Sequence, residues 1–217
     1  MSHTLPIHPL HDALATVRTL RRSLLNTEHF KGWSGPTRAI SGTIALAASL
    51  FLTFYWEDAS VRHQLYVWAG VFASAVLLNV GALIYWFTHD KLIQRDVTRL
   101  KPILDVIPPL AVGALFTLVL LLRKEVDLLF GVWMCMFGLT NFASRFVLPG
   151  AIALVGIFYV VAGALCLLLP NLTFAQPLAM GLVFCVGEWA GGTILYVDNR
   201  RYAAFSREFL ETESESL

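Results

Sequence analysis

The sequence has few charged residues. Only 14% of its 217 residues are Asp, Glu, Lys or Arg, whereas 57% are hydrophobic. A soluble domain carries about a quarter charged residues, so this chain lacks the polar side chains that would cover a surface in water. The composition therefore argues against an ordinary soluble domain and favours a protein that crosses a membrane several times. The net charge of +1 gives no indication of nucleic-acid binding.

The sequence also lacks the motifs of common catalytic and metal sites. It contains no His-Glu-x-x-His, no Gly-rich phosphate loop and no Gly-x-Ser-x-Gly. All six histidines lie outside the apolar runs or at their edges, which argues against a His-ligated metal or haem in the membrane. The three cysteines form no Cys-x-x-Cys, and we interpret them as packing residues. The sequence therefore predicts neither a metal site nor a cofactor.

Six long apolar runs are present instead, and they predict six transmembrane helices. Each is near the ~20 residues that a helix needs to cross about 30 Å of hydrocarbon. They are too long for barrel strands, and a helix satisfies its own backbone hydrogen bonds in lipid. The first run begins well into the chain with no small-residue cleavage site after it, so we expect no removed signal peptide. The runs are Ala39–Trp56, Leu65–Thr88, Ile103–Leu122, Leu128–Leu148, Ala151–Leu169 and Leu178–Val197.

Lys and Arg are distributed unevenly between the connections. Thirteen of the 16 lie in the N-terminal segment, beside the second and fourth connections, or in the C-terminal tail. This bias predicts that both termini are cytoplasmic.

We expect an all-α bundle in a bacterial inner (plasma) membrane. It divides into a cytoplasmic segment (1–38), a six-helix transmembrane domain (39–197) and a cytoplasmic tail (198–217) that continues the sixth helix.

The N-terminal segment has a helical period. Apolar residues recur at positions 10, 14, 17 and 24, which predicts an amphipathic helix on the inner leaflet. Basic residues beside this stripe attract anionic lipid at about 1 kcal/mol each. A helix that docks on a cytoplasmic protein is the alternative, and a disordered segment is the third interpretation. The basic residues are Arg18, Arg21 and Arg22.

A longer N-terminal stretch, VRTLRRSLLNTEHFKGWSGPTRAISGTIALAAS, carries a family resemblance. It resembles the start of an uncharacterised family of bacterial six-helix integral membrane proteins, which are often encoded beside winged-helix regulators. In that family an Arg-rich helix is followed by a Phe, a small-residue turn and the first span. Arg18, Arg21, Phe30, Gly35 and Gly42 match this pattern. The resemblance implies a membrane bundle and brings no catalytic residues.

Two charges, Asp105 and Arg145, lie near the inner ends of the third and fourth runs, about 3 and 5 Å in by helix rise. These two runs form a hairpin with a short connection, so the charges can meet at one level. We predict an inner-rim ion pair or two side chains that snorkel to the membrane surface. A substrate-binding pair is the alternative.

Glu188 lies in the middle of the sixth run, ~15 Å from either end. A charge at this depth costs at least about 2.5–3.5 kcal/mol on insertion scales. Its helical neighbours are Gly, Cys, Gly and Gly at positions 181, 185, 191 and 192, which is typical of a face packed against other helices. Asn79 and Asn141 lie within about a turn of its depth, and no cation does. We therefore predict a protonated, inward-facing Glu188 that hydrogen-bonds one of these amides, with a proton- or ligand-binding carboxylate as the alternative.

These features predict a non-enzymatic membrane protein that senses or scaffolds through its basic cytoplasmic segments. The first alternative is a small proton-coupled or small-solute transporter that uses Glu188, which a kink at Pro108-Pro109 would suit. The second alternative is an intramembrane enzyme, although no nucleophile–base pair is visible.

The expected partner is the bilayer with its anionic inner leaflet. A cytoplasmic protein and a second copy of the chain are further candidates, and no nucleic acid is expected. A wet cavity at Glu188 would favour transport, and a filled interior would favour a scaffold.

Overall fold

A computed structural model describes residues 34–89, 104, 106–169 and 171–215, without the side chains of Phe146 and residues 205–215. Within these ranges the chain is helical and has no strand. Two short 3-10 turns, Val126–Leu128 and Ser144–Phe146, flank the fourth helix. The helices are α1 (Gly35–Phe54), α2 (Val61–His89), α3 (Ile107–Arg123), α4 (Leu129–Ala143), α5 (Ile152–Leu168) and α6 (Pro177–Glu215).

Each apolar run of the sequence corresponds to one helix, but the helices differ in length. Within the described ranges, four segments are long and apolar enough to cross a membrane: α1, α2, Val126–Ala143 and the part of α6 up to Ala204. The other two, α3 and α5, are apolar helices of 17 residues, or about 25 Å by helix rise. The prediction of an all-α chain with several helices suited to a membrane is therefore confirmed.

Prolines mark where two of the helices begin. Ser34 is the N-cap of α1 and Pro36 lies in its first turn, where the missing N–H of proline costs nothing. The helix therefore begins four residues before the predicted run, and Arg38 belongs to it. Pro108 and Pro109 likewise lie in the first turn of α3, after the N-cap Val106. Because residues 101–103 and 105 lie outside the described part of the chain, the predicted kink of this span at Pro108-Pro109 remains a prediction.

The last helix continues far beyond the apolar run that predicted it. α6 has 39 residues and extends to Glu215, which corresponds to about 58 Å by helix rise. The expectation that the C-terminal tail prolongs the sixth helix is confirmed.

Glycines bring two pairs of helices into backbone contact. α1 runs along α6, and α4 runs along α5. A Cβ on Gly192 would lie 2.6 Å from the carbonyl oxygen of Gly35, and a Cβ on Gly138 would lie 2.7 Å from that of Gly156. Close approach through small residues is a common way for membrane helices to associate. The predicted close-packing face of the sixth helix is thereby confirmed.

The remaining two helices flank these pairs. α2 lies against α1, and α3 lies against α4. Buried residues are few on both helices, and apolar side chains such as Leu77 (73% exposed) and Leu122 (75% exposed) point outward. Outward apolar surface of this kind is suited to contact with lipid tails, because lipid removes the need for a polar cover.

Apolar side chains fill both ends of the bundle. In keeping with the predicted topology, the end at which α1 begins is called the inner end. The outer end is filled by a cluster that includes Trp68, Phe130 and Phe174. The inner end is filled by Leu83, Leu148, Ile152 and Leu195. Between the two clusters lies the polar site described next.

Candidate functional site

The site is built around Glu188, which is only 5% exposed. Its cationic partner is Arg38 of α1, which is 7% exposed. Arg38 Nη2 donates to Glu188 Oε1 at 2.7 Å, and Arg38 Nε donates to Glu188 Oε2 at 3.0 Å. This two-bond arrangement matches the planar guanidinium to the planar carboxylate, which is the strongest geometry for such a pair.

Two further helices complete the hydrogen bonding. Asn141 of α4 accepts a 2.9 Å bond from Arg38 Nη2 through its Oδ1 atom. Its own Nδ2 atom donates to the carbonyl of Phe137, which orients the amide. Tyr159 of α5 donates from its hydroxyl to Glu188 Oε1 at 3.1 Å, and its ring is fully buried. Both carboxylate oxygens are therefore bound by protein donors, and four helices meet at this one cluster.

Three glycines make the space that the cluster occupies. A Cβ on Gly42 would lie 2.8 Å from the Cβ of Glu188, and a Cβ on Gly191 would lie 2.7 Å from Arg38 Cζ. A Cβ on Gly187 would overlap the ring of Tyr159. The small residues around Glu188 thus leave room for the cluster, because a side chain at each position would displace Glu188, Arg38 or Tyr159.

The chemistry of the cluster is that of a sealed ion pair. Removing two charges from water is expensive, and their attraction offsets this only when geometry is good and the remaining polar atoms are bonded. Here the pair has two-bond geometry, both carboxylate oxygens are bonded, and Arg38 Nη2 also donates to Asn141. Within the part of the chain that the structure describes, no three His, Cys, Asp or Glu side chains form a group that could hold a metal. The arrangement is suited to fixing four helices in register.

The structure corrects the sequence interpretation of Glu188. Glu188 does face the bundle interior, and Asn141 is in the same cluster, but the amide binds Arg38 rather than the acid. The prediction that Glu188 has no cationic partner is wrong. A guanidinium donates to both of its oxygens, which is the two-bond geometry of an arginine–carboxylate pair rather than the amide hydrogen bond expected from sequence.

Sequence reasoning missed Arg38 because the residue lies just before the apolar run and was counted with the cytoplasmic charges. The signal that could have placed it is Gly35-Pro36, since Pro is favoured in the first turn of a helix. A helix that begins there carries Arg38 into the bundle. Asn79 lies beside the cluster, where its Oδ1 atom accepts a 3.3 Å bond from Thr37 Oγ1.

The other sequence candidates lie elsewhere. Asp105, Arg18, Arg21 and Arg22 fall outside the described residues, so the inner-rim ion pair remains a prediction. Arg145 lies in the 3-10 turn after α4, where Nη1 donates to the carbonyl of Phe142 at 3.0 Å and the guanidinium carbon lies 4.0 Å from the centre of the Phe142 ring.

A cavity of about 420 Å³ opens at the inner end. Arg38 and Glu188 are not among its lining residues, so the cavity stops short of the carboxylate. It is lined by residues 34–37 of α1, by Gly81, Ala82, Tyr85 and Trp86 of α2, and by Tyr196 and Asn199 of α6.

Comparison of the chain with models of protein families, with curated proteins and with solved structures gives no match.

Proposed function

We propose that this protein is a non-enzymatic protein of a bacterial inner membrane, which senses or scaffolds through its basic cytoplasmic segments. In this proposal it crosses the membrane six times with both termini in the cytoplasm. The uneven distribution of Lys and Arg supports that orientation. The N-terminal residues support a place in the bacterial six-helix family that they resemble.

The observation that carries this proposal is that both carboxylate oxygens of Glu188 are already hydrogen-bonded to protein donors. A coupling group in a transporter must exchange protons or solute with water during its cycle. Glu188 is 5% exposed, and Arg38 and Tyr159 together bind both of its oxygens. A deep acid that is buried and bonded to protein donors through both oxygens favours a bundle whose core is static.

The position of the chain ends supports a role for the cytoplasmic segments. Gly35 lies against Gly192, so the segment before α1 leaves the bundle next to the point where α6 extends beyond its apolar run. The ion pair between Arg38 and Glu188 holds these two helices together. In this proposal the two cytoplasmic segments begin side by side at the inner end of the bundle, which suits the binding of a protein partner.

The test uses the intact chain in its native membrane. A photo-crosslinking amino acid replaces Val17 in the N-terminal segment and, as a matched control, Leu77 on the outward face of α2. The proposal expects one discrete protein adduct from position 17, lost when Arg18, Arg21 and Arg22 are changed to Gln, and only lipid adducts from position 77. Lipid adducts alone at position 17 would contradict a protein partner.

A second measurement separates this function from transport. The purified chain is placed in proteoliposomes, and a pH gradient is applied while internal pH is recorded. The proposal expects the same proton leak as from empty liposomes. Proton movement that requires the chain and disappears in Glu188→Gln would establish the transporter instead.

A further inference from the structure

Two buried polar atoms at the outer end of α2 have no hydrogen-bond partner among the described residues. They are the amide oxygen Oε1 of Gln64 and the indole nitrogen Nε1 of Trp68. Gln64 is 7% exposed and Trp68 is 4% exposed. A buried polar group without a partner costs about 1–3 kcal/mol, so each of these atoms calls for an explanation.

The orientation of the Gln64 amide is set by its neighbour. Nε2 donates to the carbonyl oxygen of Ala59 at 3.4 Å. Exchanging the amide oxygen and nitrogen would put two acceptors against each other. Oε1 is therefore an acceptor that needs a donor.

Trp68 presents the complementary group. Gln64 and Trp68 are four residues apart on one helix, so they share a face with Cβ atoms about 5–6 Å apart. The indole is held in place by edge-to-face packing on Phe130, with ring centroids 5.4 Å apart. One donor and one acceptor, each buried and without a partner among the described residues, thus lie on the same face of α2.

We propose that Gln64 Oε1 and Trp68 Nε1 form a binding site for a single buried water molecule, which accepts from the indole and donates to the amide. By helix rise the two residues lie about 5 and 10 Å from the outer end of α2, within reach of the aqueous phase. Buried waters in proteins serve polar groups of this kind. This inference is independent of the proposed function.

The site has a consequence for the attachment of α2. The buried residues of this helix are Gln64, Trp68 and Leu83. Two of these three carry the polar atoms in question, so the hydrated site lies in the contact between the outer half of α2 and the bundle. The water would act as part of that interface.

The direct test is NMR of the intact chain labelled with ¹⁵N-tryptophan in lipid nanodiscs. The Trp68 indole resonance, assigned from its loss in Trp68→Phe, should show a cross-relaxation peak to water that Gln64→Leu removes. Trp133 is the matched control, since its Nε1 donates to Thr117 Oγ1 at 2.8 Å, and its resonance should not respond to Gln64→Leu. A Trp68 indole resonance without a water peak would overturn the proposal. If that resonance nevertheless responds to Gln64→Leu, the two side chains are bonded directly to each other.

Thermal unfolding provides a second readout. Gln64→Leu and Trp68→Phe should each lower the melting temperature, because each leaves the water with one partner. The double variant should melt no lower than the less stable single variant, because it removes both polar atoms and leaves no buried group that needs the water molecule. Losses that simply add would overturn the shared site. Gln64→Met, closer to glutamine in shape, replaces Gln64→Leu if that variant does not fold.

Discussion

Arg38 Nη2 lies 2.7 Å from Glu188 Oε1, and this ion pair joins α1 to α6 across 150 positions of the chain. The two side chains are 9% and 6% exposed. Asn141 and Tyr159 extend the cluster to two further helices. A desolvated pair of this kind is sensitive to loss of one member and tolerant of loss of both, which gives the first prediction.

Glu188→Leu should destabilise the bundle by about 3–5 kcal/mol, because it leaves Arg38 as an uncompensated buried charge. Arg38→Met should do the same to Glu188. The double variant Arg38→Met/Glu188→Leu should regain most of the loss, since two apolar side chains of similar size replace the pair. Unfolding in detergent measures the three stabilities. A double variant as unstable as the sum of the single variants would contradict a paired, sealed site.

Tyr159→Phe should cost about 1.5–3 kcal/mol, the range for a hydrogen bond to a charged group. The phenyl ring keeps the contacts of Tyr159 with Phe137 and Phe184, so only the hydroxyl is tested. Tyr66→Phe is the control, because Tyr66 is 67% exposed and the loss of its hydroxyl should leave stability unchanged. Equal effects of the two variants would show that the hydroxyl of Tyr159 does not bind Glu188.

Gly191→Ala should destabilise the protein by about 1–3 kcal/mol, the usual cost of overpacking. The added methyl group would lie 2.7 Å from Arg38 Cζ and push the guanidinium away from the carboxylate. Gly70→Ala in α2 is the matched control, since nothing lies within 4 Å of its added Cβ. That change should stabilise its helix by up to about 1 kcal/mol. Melting temperatures that move in the same direction would refute this account of Gly191.

Reporter fusions test the orientation. Fusions after Arg99 and at the C-terminus should report the cytoplasm, and fusions at Asp58, Lys124 and Asn171 should report the outside, because Lys and Arg concentrate in the segments that are predicted to be cytoplasmic. An external C-terminus would exclude a chain with six spans and both termini inside.

The helices themselves were predictable because they depend on local pattern. Each apolar run became a helix, since a long unbroken apolar stretch has few other stable states in lipid. The boundaries shifted where proline chemistry outweighed hydropathy: Pro36 lies in the first turn of α1, which starts before the apolar run, and Pro108 lies in the first turn of α3.

The partner of Glu188 was not predictable in the same way. Counting residues along the chain gave its inward face correctly. The same counting assigned Arg38 to the cytoplasm, because an apolar run is taken to end at the first charged residue, whether or not that residue belongs to the helix. The same depth argument placed Asn141 in the right cluster, although bonded to Arg38.

The amino-acid sequence alone was sufficient for the helical class, the membrane character and the inward direction of the deep acid, because composition, run length and helical period are local properties. Only the tertiary structure determined which helices are neighbours. Gly35 meets Gly192, and Gly42 meets Glu188, through contacts between residues far apart in sequence that no local period encodes. Those contacts bring Arg38 to Glu188 and turn an isolated buried acid into half of an ion pair.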